Sequence, residues 1–140
     1  MRGSLLLSLA LAATVAPVSA QQRAPLKLAD VAGAWDSKVM IGPKGDSVVA
    51  TYTLTATADA KTWTLKFAGR EALPVRITAQ GGDSVVSEVG PYSSVLRAGV
   101  MVTTQTTSHF NGNAMTGTFR GVYSTGDTLR GKISGARKAK

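Results

Sequence analysis

The sequence predicts an all-β fold, an eight-stranded antiparallel meander that closes or nearly closes into a small barrel. Three observations predict it. From Gly33 onward apolar and polar residues alternate with period two, as strands buried on one face do. Short turns rich in Gly, Asp and Asn separate the alternating runs, and no long segment carries a helical period. A flat meander of this length leaves two unpaired edges, which closure into a barrel removes. A two-sheet sandwich is the competing solution; it is disfavoured because short turns dominate and long crossovers are missing.

The elements follow in order. Trp35, Ser37, Val39 and Ile41 share one face of the first strand, with Asp36, Lys38 and Met40 opposite. Val48, Ala50, Tyr52 and Leu54 form the inner face of the second, and Trp63, Leu65 and Phe67 that of the third. Leu73, Val75, Ile77 and Ala79 define a fourth strand, and Ser84 to Val89 a fifth. Gly90 to Ala98 is the one longer connection, with room for a short helical turn. Val100 to Phe110 is the sixth strand; Met115, Phe119 and Tyr123 mark the seventh, and Leu129 and Ile133 the eighth. β-Branched residues dominate throughout, which suits a pleated surface. Gly45-Asp46-Ser47-Val48-Val49 recurs as Gly82-Asp83-Ser84-Val85-Val86, and Gly126-Asp127-Thr128-Leu129 is a looser copy. Each copy sits at a turn entering a strand, so the echo is hairpin punctuation and not a duplicated domain.

Residues 1–20 read as a cleavable signal peptide. Arg2 supplies the positive start, Leu5 to Val15 the apolar run, and Val18-Ser19-Ala20 a small-residue cleavage site. The run is too short to span a bilayer core as a helix. Removing the first 20 of 140 residues leaves 120, with residues 21–30 as a flexible lead-in, 31–137 as one barrel domain and 138–140 as a basic tail. The expected location is the periplasm or the extracellular space. The chain has no cysteine, so its stability must come from packing rather than from disulfides. Sixteen basic residues against eight acidic ones favour anionic surfaces, but along the chain the basic residues are scattered on solvated faces.

No motif amounts to a catalytic or metal-binding signature, and no cofactor is expected. A serine nucleophile at Ser47 or Ser84 needs a histidine base oriented by a carboxylate. The chain's single histidine, His109, reads as a surface residue on the polar face of a strand. It lacks the companions that a transition-metal site needs. Asp36 and Glu88 are the nearest approach to a carboxylate pair. The threonine series from Thr51 to Thr55 and from Thr103 to Thr107 breaks register and reads as ordinary strand surface. A nucleic-acid partner would need stacking aromatics among the basic residues, whereas Trp35, Trp63 and Phe67 fall on apolar faces. A membrane-spanning barrel would need an apolar outer face, where this chain places Lys38, Lys66, Arg76, Arg120, Arg130 and Lys132.

The interior remains. Gly117, Gly121, Gly131 and Gly135 share faces with Met115, Phe119, Leu129 and Ile133, and inward glycines either let strands coil tightly or leave room for a neighbour or a ligand. A barrel of this size is either filled by its side chains or holds one small molecule. Two functions of different class follow. The first is a non-enzymatic carrier of a small apolar or amphipathic molecule, with Tyr52, Trp63, Phe67, Phe119 and Tyr123 as wall residues. The second is an interaction module with a filled core that docks on an envelope protein or an anionic surface. The apolar stretch from Pro91 to Leu96 separates them, since an exposed apolar loop favours a partner.

Gly33-Ala34-Trp35 at the start of the first strand, with Arg130 or Arg137 in or just past the last, resembles the lipocalin and wider calycin pattern. The resemblance implies that Trp35 plugs the closed end of the barrel, with Arg137 in preference to Arg130 stacked across it. Gly33, Trp35 and Arg137 are then structural residues. The disulfide and the helix after the barrel that lipocalins carry have no counterpart here.

Overall fold

A computed structural model describes residues 25–139; the expected signal peptide at 1–20 lies outside the described residues. A short 3-10 turn, η1 (Leu28–Val31), precedes nine strands. These are β1 (Gly33–Ile41), β2 (Ser47–Ala56), β3 (Thr64–Phe67), β4 (Leu73–Pro74), β5 (Arg76–Gly81), β6 (Ser84–Ser93), β7 (Met101–Asn111), β8 (Ala114–Tyr123) and β9 (Thr128–Arg137). All pairings are antiparallel within one sheet, in the order β4-β3-β2-β1-β9-β8-β7-β6-β5. The first and last long strands pair, Trp35 opposite Arg137 and Met40 opposite Lys132. The protein is therefore an all-β, nearly closed barrel rather than a two-sheet sandwich.

The ninth strand arises where the fourth expected one divides. Leu73 and Pro74 pair with Leu65 and Thr64 of β3, whereas Arg76 onward pairs with β6. Only Val75 lies between, buried, with its N–H donated to Trp63 O at 2.9 Å. The two edges of the sheet are thus consecutive in the chain, and a single run of residues changes partner to carry the wall across the seam.

Directions alternate, so the connections gather at two ends. The first and last described residues and the turns at 57–63, 82–83 and 112–113 lie at one end; the turns at 42–46, 68–72, 94–100 and 124–127 lie at the other. The inner faces follow the alternation, with two local corrections. A bulge opposes Val39 and Met40 to Ala50 and Val48, so Val48 shares the outward side of Met40 and is 52 % exposed. A second bulge, between Ile77 and Ala79, turns Ala79 out.

The longer connection is also shorter than expected. Gly90 to Ser93 continue β6, with a register shift between Val89 and Tyr92, and hold no helical turn. Gly90 has φ +113°, and a Cβ there would lie 2.6 Å from Val102 O, so only glycine fits this close crossing. Gly117 and Gly131 act by closeness alone: an added Cβ would fall 2.0 Å from Thr107 O and 2.3 Å from Met40 O. These inward glycines let the strands coil tightly.

Candidate functional site

The two ends of the barrel are built differently. At the first end Trp35, fully buried, meets Phe110 edge to face at 5.1 Å, and Trp63 meets the same ring at 6.4 Å. Each indole donates its N–H to a backbone carbonyl at 2.8 Å, Trp35 to Val31 and Trp63 to Thr57. The Arg137 guanidinium lies 4.8 Å from the Trp35 ring centroid. It also donates to the carbonyls of Ala32 (3.1 Å), Asp30 (2.8 Å) and Gly112 (3.2 Å). The planar fork satisfies carbonyls that the 3-10 turn leaves free while its face stacks on the indole. Arg130 points elsewhere, on the outer face opposite Arg120. This end is closed.

The lead-in belongs to it. Residues 25–30 are not free: Leu26 N–H donates to Gly82 O at 2.7 Å, Gln80 Nε2 donates to Leu26 O, and Leu26 and Leu28 pack on the core. Lys138 likewise donates its N–H to Ala34 O at 2.8 Å and reaches Asp36 at 3.4 Å. Lys140 lies outside the described residues.

At the other end an apolar cavity of ≈ 60 Å³ remains between the strands and the 94–100 loop. Of the residues expected to wall a ligand site, Tyr52, Phe67, Phe119 and Tyr123 line it. Trp63 does not: as the first inward residue of a strand leaving the closed end, it is part of the plug. Tyr92, Ser94, Val95, Leu96 and Leu129 are also among the lining residues, without having been expected there individually. Strand direction carries the missing signal, because in a meander the strands alternately begin and finish at the mouth, and inward residues near that end of each share its lining.

The lining contains no charged side chain. Its polar atoms are hydroxyls, and that of Tyr92 bonds Thr104 Oγ1 at 3.0 Å. Tyr52, Phe67 and Tyr92 form an aromatic file with centroid separations of 6.0 and 5.7 Å. Burial pushes the Tyr52 hydroxyl pKa up to about 12 and raises that of Tyr92 as well, so both stay neutral. An anion entering this space would lose its hydration with no cation in the lining to meet it.

The loop over the cavity is tied at both sides. Ser94, itself buried, accepts the N–H groups of Leu96 and Arg97 on its Oγ, each at 3.1 Å. Arg70, from the 68–72 turn, donates to the carbonyls of Ser93 and Ser94. Arg97 lies 4.3 Å from the Tyr123 ring centroid and pairs with Asp127 at 3.0 Å. That pair is exposed, and such pairs contribute little, about 0–1 kcal/mol. The loop is held by several weak ties, by the Ser94 N–H bond to Val100 O at 3.0 Å and by Val95, its one side chain packed on the core.

The structure brings one further cluster together. Ser84 Oγ and Asp83 Oδ1 lie 2.8 and 3.1 Å from His109 Nδ1, and the bond from His109 holds the Asp83 carboxyl below its usual pKa. Both contacts fall on the same ring nitrogen. A relay for nucleophilic attack needs serine and carboxylate on opposite nitrogens, so the arrangement clamps the 81–84 turn to β7. Ser47 has no such neighbour among the described hydrogen bonds. Asp36 pairs with Lys138 and Glu88 with Arg76, each in its own ion pair. Among the described residues no three His, Asp or Glu side chains converge as a metal site, and no helix is long and apolar enough to cross a membrane. No protein-family model, curated protein or solved structure matches the chain.

Proposed function

We propose that the protein is an exported, non-enzymatic binding protein of lipocalin-like type. It takes the apolar part of a small uncharged or amphipathic molecule at the open end of its barrel. The observation that carries the reading is the contrast within one interior: aromatic side chains fill one end completely, while at the other an uncharged apolar space stays open beneath a weakly tied loop. Cavities of roughly 150 Å³ hold a benzene ring, and pockets for drug-sized ligands run to about 300 Å³ and more. A cavity of ≈ 60 Å³ therefore takes a narrow apolar group as it stands and a larger ligand only if the 94–100 loop swings out.

The same small volume favours the second reading, an interaction module whose interior is essentially filled. Native mass spectrometry of the protein purified from its own host's envelope fraction separates the two. A reproducible bound mass that is lost on denaturation supports the carrier. A bare mass, with no thermal shift against a panel of lipids and apolar metabolites, sinks it and leaves the filled module.

A further inference from the structure

The exposed large apolar side chains of the described residues are Val48, Val49, Leu96, Met101 and Val122. Every one lies at the open end: at the start of β2, in the loop above the cavity, at the start of β7 and near the end of β8. Single exposed apolar residues are ordinary; five at one rim, with none at the closed end among the described residues, form a surface feature. Met101, Val122 and Pro91 share a shallow apolar groove of ≈ 210 Å³ on the outer wall just below the mouth.

Cations occupy the same half of the barrel. Arg120 of β8 and Arg130 of β9 are direct cross-strand partners, an arrangement that like charges disfavour on a bare sheet. Lys132 follows Arg130 on the same outward face, its stem under the Gly45 turn. Lys44 extends that turn. Strands β7, β8 and β9 contain no acidic residue, and Arg120, Arg130 and Lys132 form no ion pair among the described residues.

We propose that the open end docks on a bilayer surface containing anionic phospholipid. Val48, Leu96, Met101 and Val122 enter the interfacial zone, while Arg120, Arg130 and Lys132 meet lipid phosphates. Charge complementarity alone would also admit an acidic polysaccharide, but such a polymer offers nothing to an apolar rim. A lipid surface answers both halves of the pattern. The proposal does not depend on whether the cavity is loaded, since a filled barrel would dock in the same way.

Flotation of the exported protein with vesicles tests it. Binding is expected to vesicles containing phosphatidylglycerol and not to phosphatidylcholine alone, and to weaken with salt. The double change Arg120→Glu/Arg130→Glu should lower partitioning by about tenfold or more. Leu96→Ser/Val122→Ser should lower it several-fold without altering the salt dependence. The matched closed-end change Lys27→Glu/Lys61→Glu carries the same charge difference and should leave binding within about twofold. An equal loss from the closed-end pair would show undirected attraction by net charge and overturn the proposal. Retention on an acidic polysaccharide without vesicle binding would also overturn it. Circular dichroism establishes that each variant is folded, and failure of the carrier reading would register in the bound mass and not here.

Discussion

At the closed end, two tryptophans and a phenylalanine meet edge to face under a 3-10 turn, and one arginine is bonded to three carbonyls while stacked on an indole. At the open end, a loop hangs over a space it does not fill, tied by a serine hydroxyl, two arginines and an exposed ion pair. The same sheet runs through both. The difference shows how a small barrel divides its labour: one end concentrates the interactions that hold the fold, which frees the other to keep apolar surface uncovered. Edge-to-face aromatic pairs contribute about 0.5–1.5 kcal/mol beyond their burial, and a stacked arginine about 0.5–2 kcal/mol.

Truncating the plug should have the largest effect. Trp35→Ala removes a fully buried ring and its bond to Val31, and is expected to cost about 3–5 kcal/mol in urea unfolding. A loss under about 1 kcal/mol would show that the closed end does not anchor the fold.

Two glycines on the inner face of β8 sharpen the comparison. Gly117→Ala drives a Cβ into Thr107 O, so backbone must move, and about 2–3 kcal/mol should be lost. Gly121→Ala, two inward positions nearer the mouth, comes closest to the Val102 Cγ2 methyl at 3.2 Å, with Leu129 O and Thr104 Oγ1 at an ordinary 3.8 Å, and should cost under about 1 kcal/mol. Equal losses would mean that the cavity is as tightly packed as the rest.

Tyr52, in the cavity lining, reports on its own burial. Its hydroxyl ionises at about 12 in the folded chain against 10.0 as a free group, so between these values the folded state holds a proton that the unfolded state has lost. Its contribution is complete below pH 10 and disappears as the pH rises toward 12. Denaturant midpoints across that window should fall for the native protein and stay flatter for Tyr52→Phe.

The smallest global effect belongs to the loop. Ser94→Ala frees the N–H groups of Leu96 and Arg97 and is expected to change stability by under about 1 kcal/mol. The readout is local, faster hydrogen exchange at those two amides. Unchanged exchange would mean that the arginine ties suffice. Asp127 is held below its usual pKa chiefly by the hydrogen bond from Arg97, so its tie is intact above the ordinary aspartate value and is lost only in stronger acid.

Much of this architecture was legible in the alternation of the chain. Trp35-Ser37 on β1 and Met115-Phe119-Tyr123 on β8 fall on the inner side as their period requires. Period two gives the face of a residue but not its height along the barrel, which is why Trp63 was expected in the wall and is found in the plug. It is equally blind to events that depend on a neighbouring strand. The change of partner at Val75 depends on where β3 ends and β6 begins, and the bulges that turn out Val48 and Ala79 depend on the opposing register. Gly90-Pro91 reads as a strand breaker, yet the strand continues past it, because Gly90 lets it pass close to Val102. Arg120 and Arg130 look scattered in sequence and become partners only through the β8–β9 hairpin.

The pairing of β1 with β9 has a consequence for how the molecule comes into being. Trp35 is opposite Arg137, a separation of 102 residues (137 − 35), so the first long strand lacks one neighbour until the last has been made. Contacts of such span are slow to form, and a stopped-flow refolding trace should fall in the millisecond-to-second range typical of high-contact-order β folds. Synthesis runs from the N-terminus, so β9, the strand that closes the barrel on β1, is the last of the nine to appear, and closure waits for it.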